Sequence, residues 1–242
     1  MSDPAVEVRR LVKKYRKSGR GIDGLDFDIE RGATFALLGP NGAGKTTFVK
    51  CLLALLRPNA GTVKIFGEPA TNPGSREGVG FVPDTPRFAG FLSAREVMRL
   101  HGGLIGLSGR GLEDQIHLRL EAADLQDAPK RVKEFSKGMV RRLALAQALL
   151  GSPRLMVMDE PTADLDPIGR RTVRNQMAEL KQAGATIVLN SHQLSEVERL
   201  CDHVAIMNKG KLLAMGPIDE LVPEGTDLET VFVDMVEKAG LH

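Results

Sequence analysis

An α/β fold with a mainly parallel sheet, an antiparallel β side sheet and a helical insertion is what this sequence predicts, on three observations. Short runs rich in Val, Ile, Leu and Phe recur at Thr34 to Leu38, Val79 to Val82, Leu155 to Met158, Thr186 to Leu189 and Val204 to Met207. Their length and composition are those of strands buried on both faces. Helical patterns alternate with several of them, at Lys45 to Leu56, Lys137 to Leu150, Arg170 to Ala183 and Ser195 to Leu200, the order of a parallel sheet flanked by helices. Shorter, more polar strand candidates around Val6, Leu25 to Ile29 and Thr62 to Ile65 read as the antiparallel side sheet.

From Ser93 to about Leu150 no strand candidate appears, while "SAREVMRLHGGLIGL" and "GLEDQIHLRLEAADL" carry apolar residues at helical spacing behind a Ser or a Gly. This segment is expected to be a helical insertion in the α/β core. After Gly225, the spacing of Leu228, Val231, Phe232 and Met235 predicts one more amphipathic helix. The expected organisation is a single domain: residues 1–84 and 151–222 form the core with its side sheet, 85–150 a helical subdomain, and 223–242 a C-terminal helix. No repeat or low-complexity segment interrupts it.

Composition narrows the function classes. The 242 residues are 42% hydrophobic and 26% charged, which suits a globular chain able to bury a core. The 33 basic and 31 acidic residues are mixed along the chain and leave a net charge of +2, so no broad positive field awaits a nucleic acid backbone. Cys51 and Cys201 stand alone without metal-like spacing, which fits a reducing compartment. No apolar run approaches the roughly 18 residues that span a bilayer, and "MSDPAVEVRR" lacks the apolar core of a signal peptide. A cytoplasmic location follows, and any membrane crossing is left to another chain.

The first chemical motif is "FALLGPNGAGKTTFVKCLL", in which Gly39, Gly44, Lys45 and Thr46 fit G-x-x-x-x-G-K-T between a strand and a helix, the signature of a P-loop NTPase. Gly39, Pro40, Asn41, Gly42, Ala43 and Gly44 would wrap their backbone around phosphates, with Thr47 in the first helical turn. The helix beginning near Lys45 points its positive end at the anion. Lys45 is expected to reach the β and γ phosphates of a nucleotide, and the Thr46 hydroxyl to ligate magnesium. A plain glycine-rich strand-to-helix turn is the alternative. In "LMVMDEPTADLDP" four bulky residues form a strand, so Asp159 emerges at its carboxyl end, where ligands of open parallel sheets collect. Asp159 is placed to hold magnesium and Glu160 to polarise the attacking water; a capping or surface carboxylate is the alternative for Glu160.

Over nearly its whole length the chain resembles the nucleotide-binding domain of ATP-binding cassette (ABC) transporters. The order of cradle, Ser-Lys-Gly helix, Asp-Glu strand, Asp loop and His strand is that family's order. "FSKGM" stands where the family usually has L-S-G-G-Q. Lys137 and Met139 depart from that pattern and match a variant of export-type, ABC-2-like systems. Ser136 is also a good helix N-cap, and the helix beyond presents its positive end to an anion. The resemblance implies a homodimer paired head to tail, in which Ser136 and Gly138 of one copy cover the γ phosphate held by the other.

The resemblance assigns further residues. Tyr15 in "LVKKYRK" stands where the family stacks an aromatic on adenine, although a half-buried strand tyrosine would look the same. Asp164 in "TADLD" matches the carboxylate that reaches across the dimer, while Asp166 before Pro167 is also simply a helix start. His192 in "TIVLNSH" occupies the γ-phosphate contact at the end of a core strand; a buried core histidine is the alternative. In "VGFVPDTPRF" Asp84 replaces the family's usual glutamine, as either a magnesium ligand or the turn residue of "PDTP". The function implied is an ATPase powering transport through a separate transmembrane permease. The subunit would lie on the inner face of the cell membrane, and the helical insertion and Asp84 loop would receive the permease's cytoplasmic helix. Two other classes compete. A soluble ABC-type ATPase acting on ribosomes or DNA usually carries a second cassette or long basic segments. A small-molecule kinase would leave "FSKGM" and "TADLD" without a task.

Overall fold

The structure, a computed structural model, describes residues 3–15, 20–163 and 165–240. Its contacts divide the chain into two compact units, one of residues 1–77 with 186–242, the other of residues 78–185. The expected helical subdomain falls inside the second.

The first unit opens with β1 (Val6–Lys14) and β2 (Gly21–Ile29), which pair antiparallel. Next come β3 (Thr34–Leu38), buried at every residue, α1 (Lys45–Leu52), β4 (Ala60–Ile65) and β5 (Glu68–Pro69). β4 pairs antiparallel with β1 and β5, which makes the expected side sheet. Phe27 ties the layers of this unit together: its ring centroid lies 5.8 Å from that of Phe35 on β3 and 5.3 Å from that of Phe48 on α1. The helix expected to run to Leu56 stops at Leu52, because Ala54 takes a left-handed φ of 55° that an α-helix cannot continue.

The second unit holds β6 (Val79–Val82), α2 (Ala94–Leu104), α3 (Gly109–Ala122), α4 (Lys137–Ala148), β7 (Leu155–Asp159) and α5 (Pro167–Gln182). β6 and β7 run parallel, with Val82 opposite Met158. Only alternate residues of β6 are buried, where burial on both faces is expected of the whole strand. Ser93 starts α2 with a reciprocal capping box to Glu96. α2, α3 and α4 close over a core that includes Met98, Ile116, Leu143 and Ala146, each with 0% exposure. Arg95 and Arg99 both reach Glu113, but these exposed pairs add little stability.

The chain then returns to the first unit as β8 (Thr186–Asn190), α6 (Leu194–Leu200), β9 (His203–Asn208), β10 (Lys211–Pro217), α7 (Ile218–Leu221) and α8 (Leu228–Gly240). β3 lies between β8 and β9, parallel to both, and β10 adds an antiparallel edge beside β9. β10 and the short α7 have no counterpart among the sequence expectations. α8 is the expected tail helix, with Leu228 buried at its start. Among the described residues no helix is long and apolar enough to cross a membrane.

Candidate functional site

In the first unit the chain leaves β3 directly into the glycine loop, and side chains are excluded there for steric reasons. A Cβ on Gly39 would lie 2.4 Å from the Met207 carbonyl oxygen, and one on Gly44, at φ 111°, 2.9 Å from that of Gly21. Backbone bonds fix the loop: the Ala43 N–H donates to Pro40 O (3.0 Å), and the Gly210 N–H donates to Ala43 O (2.8 Å). The turn between β9 and β10 is thereby fastened to the loop. Lys45, first residue of α1, donates from Nζ to Gly39 O (2.5 Å) and Pro40 O (3.4 Å). Its ammonium thus lies across the loop on neutral carbonyls, which an anion would outcompete.

A cavity of about 300 Å³ is lined by Asn41 to Thr47 together with Tyr15, Arg20 and Gly21. Tyr15 lies just beyond β1 and is 39% exposed, so its ring is on the rim of this cavity and outside the core. A second cavity of about 370 Å³ shares Asn41 with the first and is lined by Gly39, Pro40, Ser191, His192 and Phe232. His192 does not end the strand as the sequence suggests. β8 stops at Asn190, and the exposed His192 follows in the bend before α6. Being exposed, it is not a core histidine either.

The second unit carries the carboxylates. Asp159 closes β7 with only 7% exposure. Glu160 follows in a turn with φ 52°, a conformation uncommon outside glycine. Its carbonyl accepts from the Ala163 N–H at 3.2 Å and also from an Arg141 guanidinium N–H. Ser136 Oγ accepts from the Met139 N–H (3.2 Å) and caps α4, and both Ser136 and Lys137 are exposed. Among the described residues a Cβ on Gly138 would approach nothing nearer than Leu165 Cδ2 at 3.5 Å, an ordinary contact. The Asp84 side chain is 58% exposed, with Oδ1 at 4.0 Å from Arg141 Nη2. Asp164 lies outside the described residues. Asp166 accepts from the Gly169 N–H (2.7 Å) and caps α5, which therefore begins at Pro167, ahead of the expected Arg170.

Several features escape a reading of the sequence. Arg20 and Phe232 reach the cradle cavities from a loop and from the tail helix, and neither lies in a motif. Arg141 left one signal: it shares a helix face with the buried Ala144, Leu145 and Ala148, where a cation is out of place. A groove of about 490 Å³ in the second unit is lined by Phe81, Phe88, Leu92, Leu100, His101 and Leu104. Leu100 and Leu104 are 60% and 77% exposed, which is unusual for leucines on one helix face. His101 Nδ1 is 2.9 Å from Gln147 Nε2, and burial pushes its pKa below the ordinary histidine value.

The residues present fit a magnesium nucleotide. The cradle supplies a cavity, two cations and a helix start for phosphates. Thr46 in the first unit supplies a hard oxygen donor of the kind magnesium takes, and Asp159 in the second unit is by itself a donor of the same kind. Among the described residues no cluster of three or more His, Cys, Asp or Glu could hold a metal alone. Magnesium is ordinarily bound by one or two carboxylates plus substrate phosphates, so it does not require such a cluster.

Comparison with known proteins gives concordant matches. A family model described as ABC transporter matches residues 22–163. The Nod factor export ATP-binding protein I of Cupriavidus metallidurans is 38% identical over 238 residues, which span 96% of this chain and 78% of that protein. A solved structure of an ATP binding subunit of an ABC transporter superposes with a TM-score of 0.88 at 30% identity, covering 96% of this chain and 99% of that one. An ATP-binding cassette solved as a dimer in a post-hydrolysis state with ADP and Pi has a TM-score of 0.79 over 88% of this chain and 98% of that one. At 22% identity it shows the shared fold alone.

Proposed function

Because the chain belongs to the ABC transporter family as an ATP-binding, ATP-hydrolysing subunit, we propose that it powers export through a separate membrane-spanning permease, from the inner face of the cell membrane. The observation that carries this reading is the convergence, within one unit, of the glycine cradle, Lys45, Tyr15 and His192 around two cavities that share Asn41. Tyr15 stacks on the adenine. Lys45 exchanges the Gly39 carbonyl for the β and γ phosphates, and the start of α1 adds its dipole. His192 contacts the γ phosphate. Magnesium, when bound, neutralises phosphate charge, and Thr46, Asp159 and Asp84 are the residues that would hold it. Glu160 accepts the proton of the attacking water.

Two copies pair head to tail, so that Ser136 and Gly138 of each close over the nucleotide of the other. The exposure of Ser136 and the start of α4 supports this, since a capped helix start facing solvent is available to a partner's anion. The apolar groove beside Leu100 and Leu104 is suited to the cytoplasmic helix of the permease, which would lay its apolar face there. ATP closes the pair, hydrolysis reopens it, and the groove passes the motion on.

Mixing inactive chains tests the shared site. Lys45→Ala and Ser136→Arg chains are each expected to hydrolyse little ATP. Their mixture should recover part of the activity, because one of its two sites is assembled from intact halves. Specific activity of the wild type should also rise with protein concentration. Constant activity per chain in a proven monomer, with no recovery on mixing, would remove the shared site.

A further inference from the structure

We propose that Arg141 is a positioning residue for Glu160 and ties the Glu160 turn to the Asp84 loop, an inference that rests on Glu160 being the base. The guanidinium is nearly enclosed, with 7% exposure for the residue, on a helix face otherwise made of Ala144, Leu145 and Ala148. A buried cation is tolerated only where acceptors are held for it. Here they are two backbone carbonyls: one guanidinium nitrogen donates to Glu160 O and the other to Asp84 O at 2.9 Å, with Asp84 Oδ1 a further 4.0 Å neighbour.

These carbonyls are related by the fold. β6 and β7 are parallel with Val82 opposite Met158, so Asp84 and Glu160 leave the same end of two paired strands. The planar fork of arginine spans both departures, which the single ammonium of a lysine cannot do. The bond bears on the reaction through the backbone of Glu160. A non-glycine residue at φ 52° persists only where its surroundings over-determine it. Two donors hold its carbonyl, the Ala163 N–H within the turn and Arg141 from outside it. Relaxing φ would swing that peptide away from Arg141 and re-aim the carboxylate. Any displacement of the Asp84 carbonyl strains the same guanidinium, so the loop and the base move as one.

The test measures ATP turnover, KM for ATP, binding of a fluorescent ATP analogue and the melting midpoint of the full chain, for wild type, Arg141→Met, Arg141→Lys, Glu160→Gln and the Arg141→Met, Glu160→Gln double variant. Arg141→Met is expected to lose turnover by roughly tenfold to a hundredfold, as for a misplaced catalytic group. KM and analogue binding should stay within about twofold, and Arg141→Lys should recover part of the loss by restoring one of the two bonds. In the Glu160→Gln background the methionine should cost nothing further, since there is no base left to position. Wild-type turnover in Arg141→Met, or losses that multiply in the double variant, would overturn the proposal. If Arg141→Met does not fold, Arg141→Lys decides: reduced turnover at unchanged KM and midpoint supports it, and unchanged turnover overturns it. Near-normal hydrolysis by Glu160→Gln itself would instead remove Glu160 as the base, a separate failure of the underlying reading.

Discussion

Gly39 and Gly138 are both motif glycines, yet the two regions that hold them are built on opposite principles. Gly39 is demanded by its own chain, because a Cβ there would overlap the Met207 carbonyl at 2.4 Å. Gly138 meets no such obstacle among the described residues, where the nearest atom to an added Cβ is 3.5 Å away. The cradle is backbone held by backbone, finished within one unit. The start of α4 is an exposed surface, and on the proposed pairing its small residue leaves room for a partner.

Replacing each glycine by alanine sharpens the contrast and gives the largest expected effect. Gly39→Ala should lower the melting midpoint, since overpacking against backbone typically costs about 1–3 kcal/mol, and nucleotide binding should be lost with it. Gly138→Ala sits in the first turn of α4, where alanine is the better helix former by up to about 1 kcal/mol. Its midpoint should be unchanged or raised and single-chain ATP binding retained, while concentration-dependent turnover falls. Full activity in Gly138→Ala would break the comparison and remove the need for a close partner at that position.

A smaller effect is expected at Asp84, whose carbonyl is fixed by Arg141 while its carboxylate is largely free to solvent. If that carboxylate serves the metal, Asp84→Ala should need several-fold more magnesium for half-maximal hydrolysis at saturating ATP, and Asp84→Gln less than the alanine variant. Identical magnesium titrations for all three would leave Asp84 as the residue that shapes the turn. The smallest effect concerns His101, on α2 of the second unit. Burial lowers its pKa from 6.5, so the folded chain resists the proton that the unfolded chain accepts. Above roughly pH 6.5 both states are neutral and the residue adds no pH dependence; as pH falls through that value, stability is lost until the folded state also protonates. His101→Gln should remove a small part of the decline in melting midpoint between about pH 6.5 and 5. A decline unchanged in the variant would place its cause elsewhere.

The core strands of each unit were legible because β3, β7 and β8 are buried at every residue and leave unbroken apolar runs. β10 was not, since none of its residues is buried and its place at the edge comes from pairing with β9 rather than from a pattern of its own. His192 was found by its neighbours in sequence, but its position in an exposed bend was decided by where β8 ends.

By itself the sequence determined the parts made of backbone: the loop around Gly39 to Thr46, the caps at Ser136 and Asp166, and the strand end at Leu38. Each needs particular residue types at fixed short spacing, because φ, steric room and a hydrogen bond to a near neighbour are local requirements. Tertiary structure alone decided what Arg141 does. Its acceptors lie 19 and 57 residues away along the chain, and they converge only because β6 and β7 pair in parallel and α4 turns that face toward their ends. A backbone carbonyl can belong to any residue type, so a side chain that binds one leaves no matching letter in the sequence.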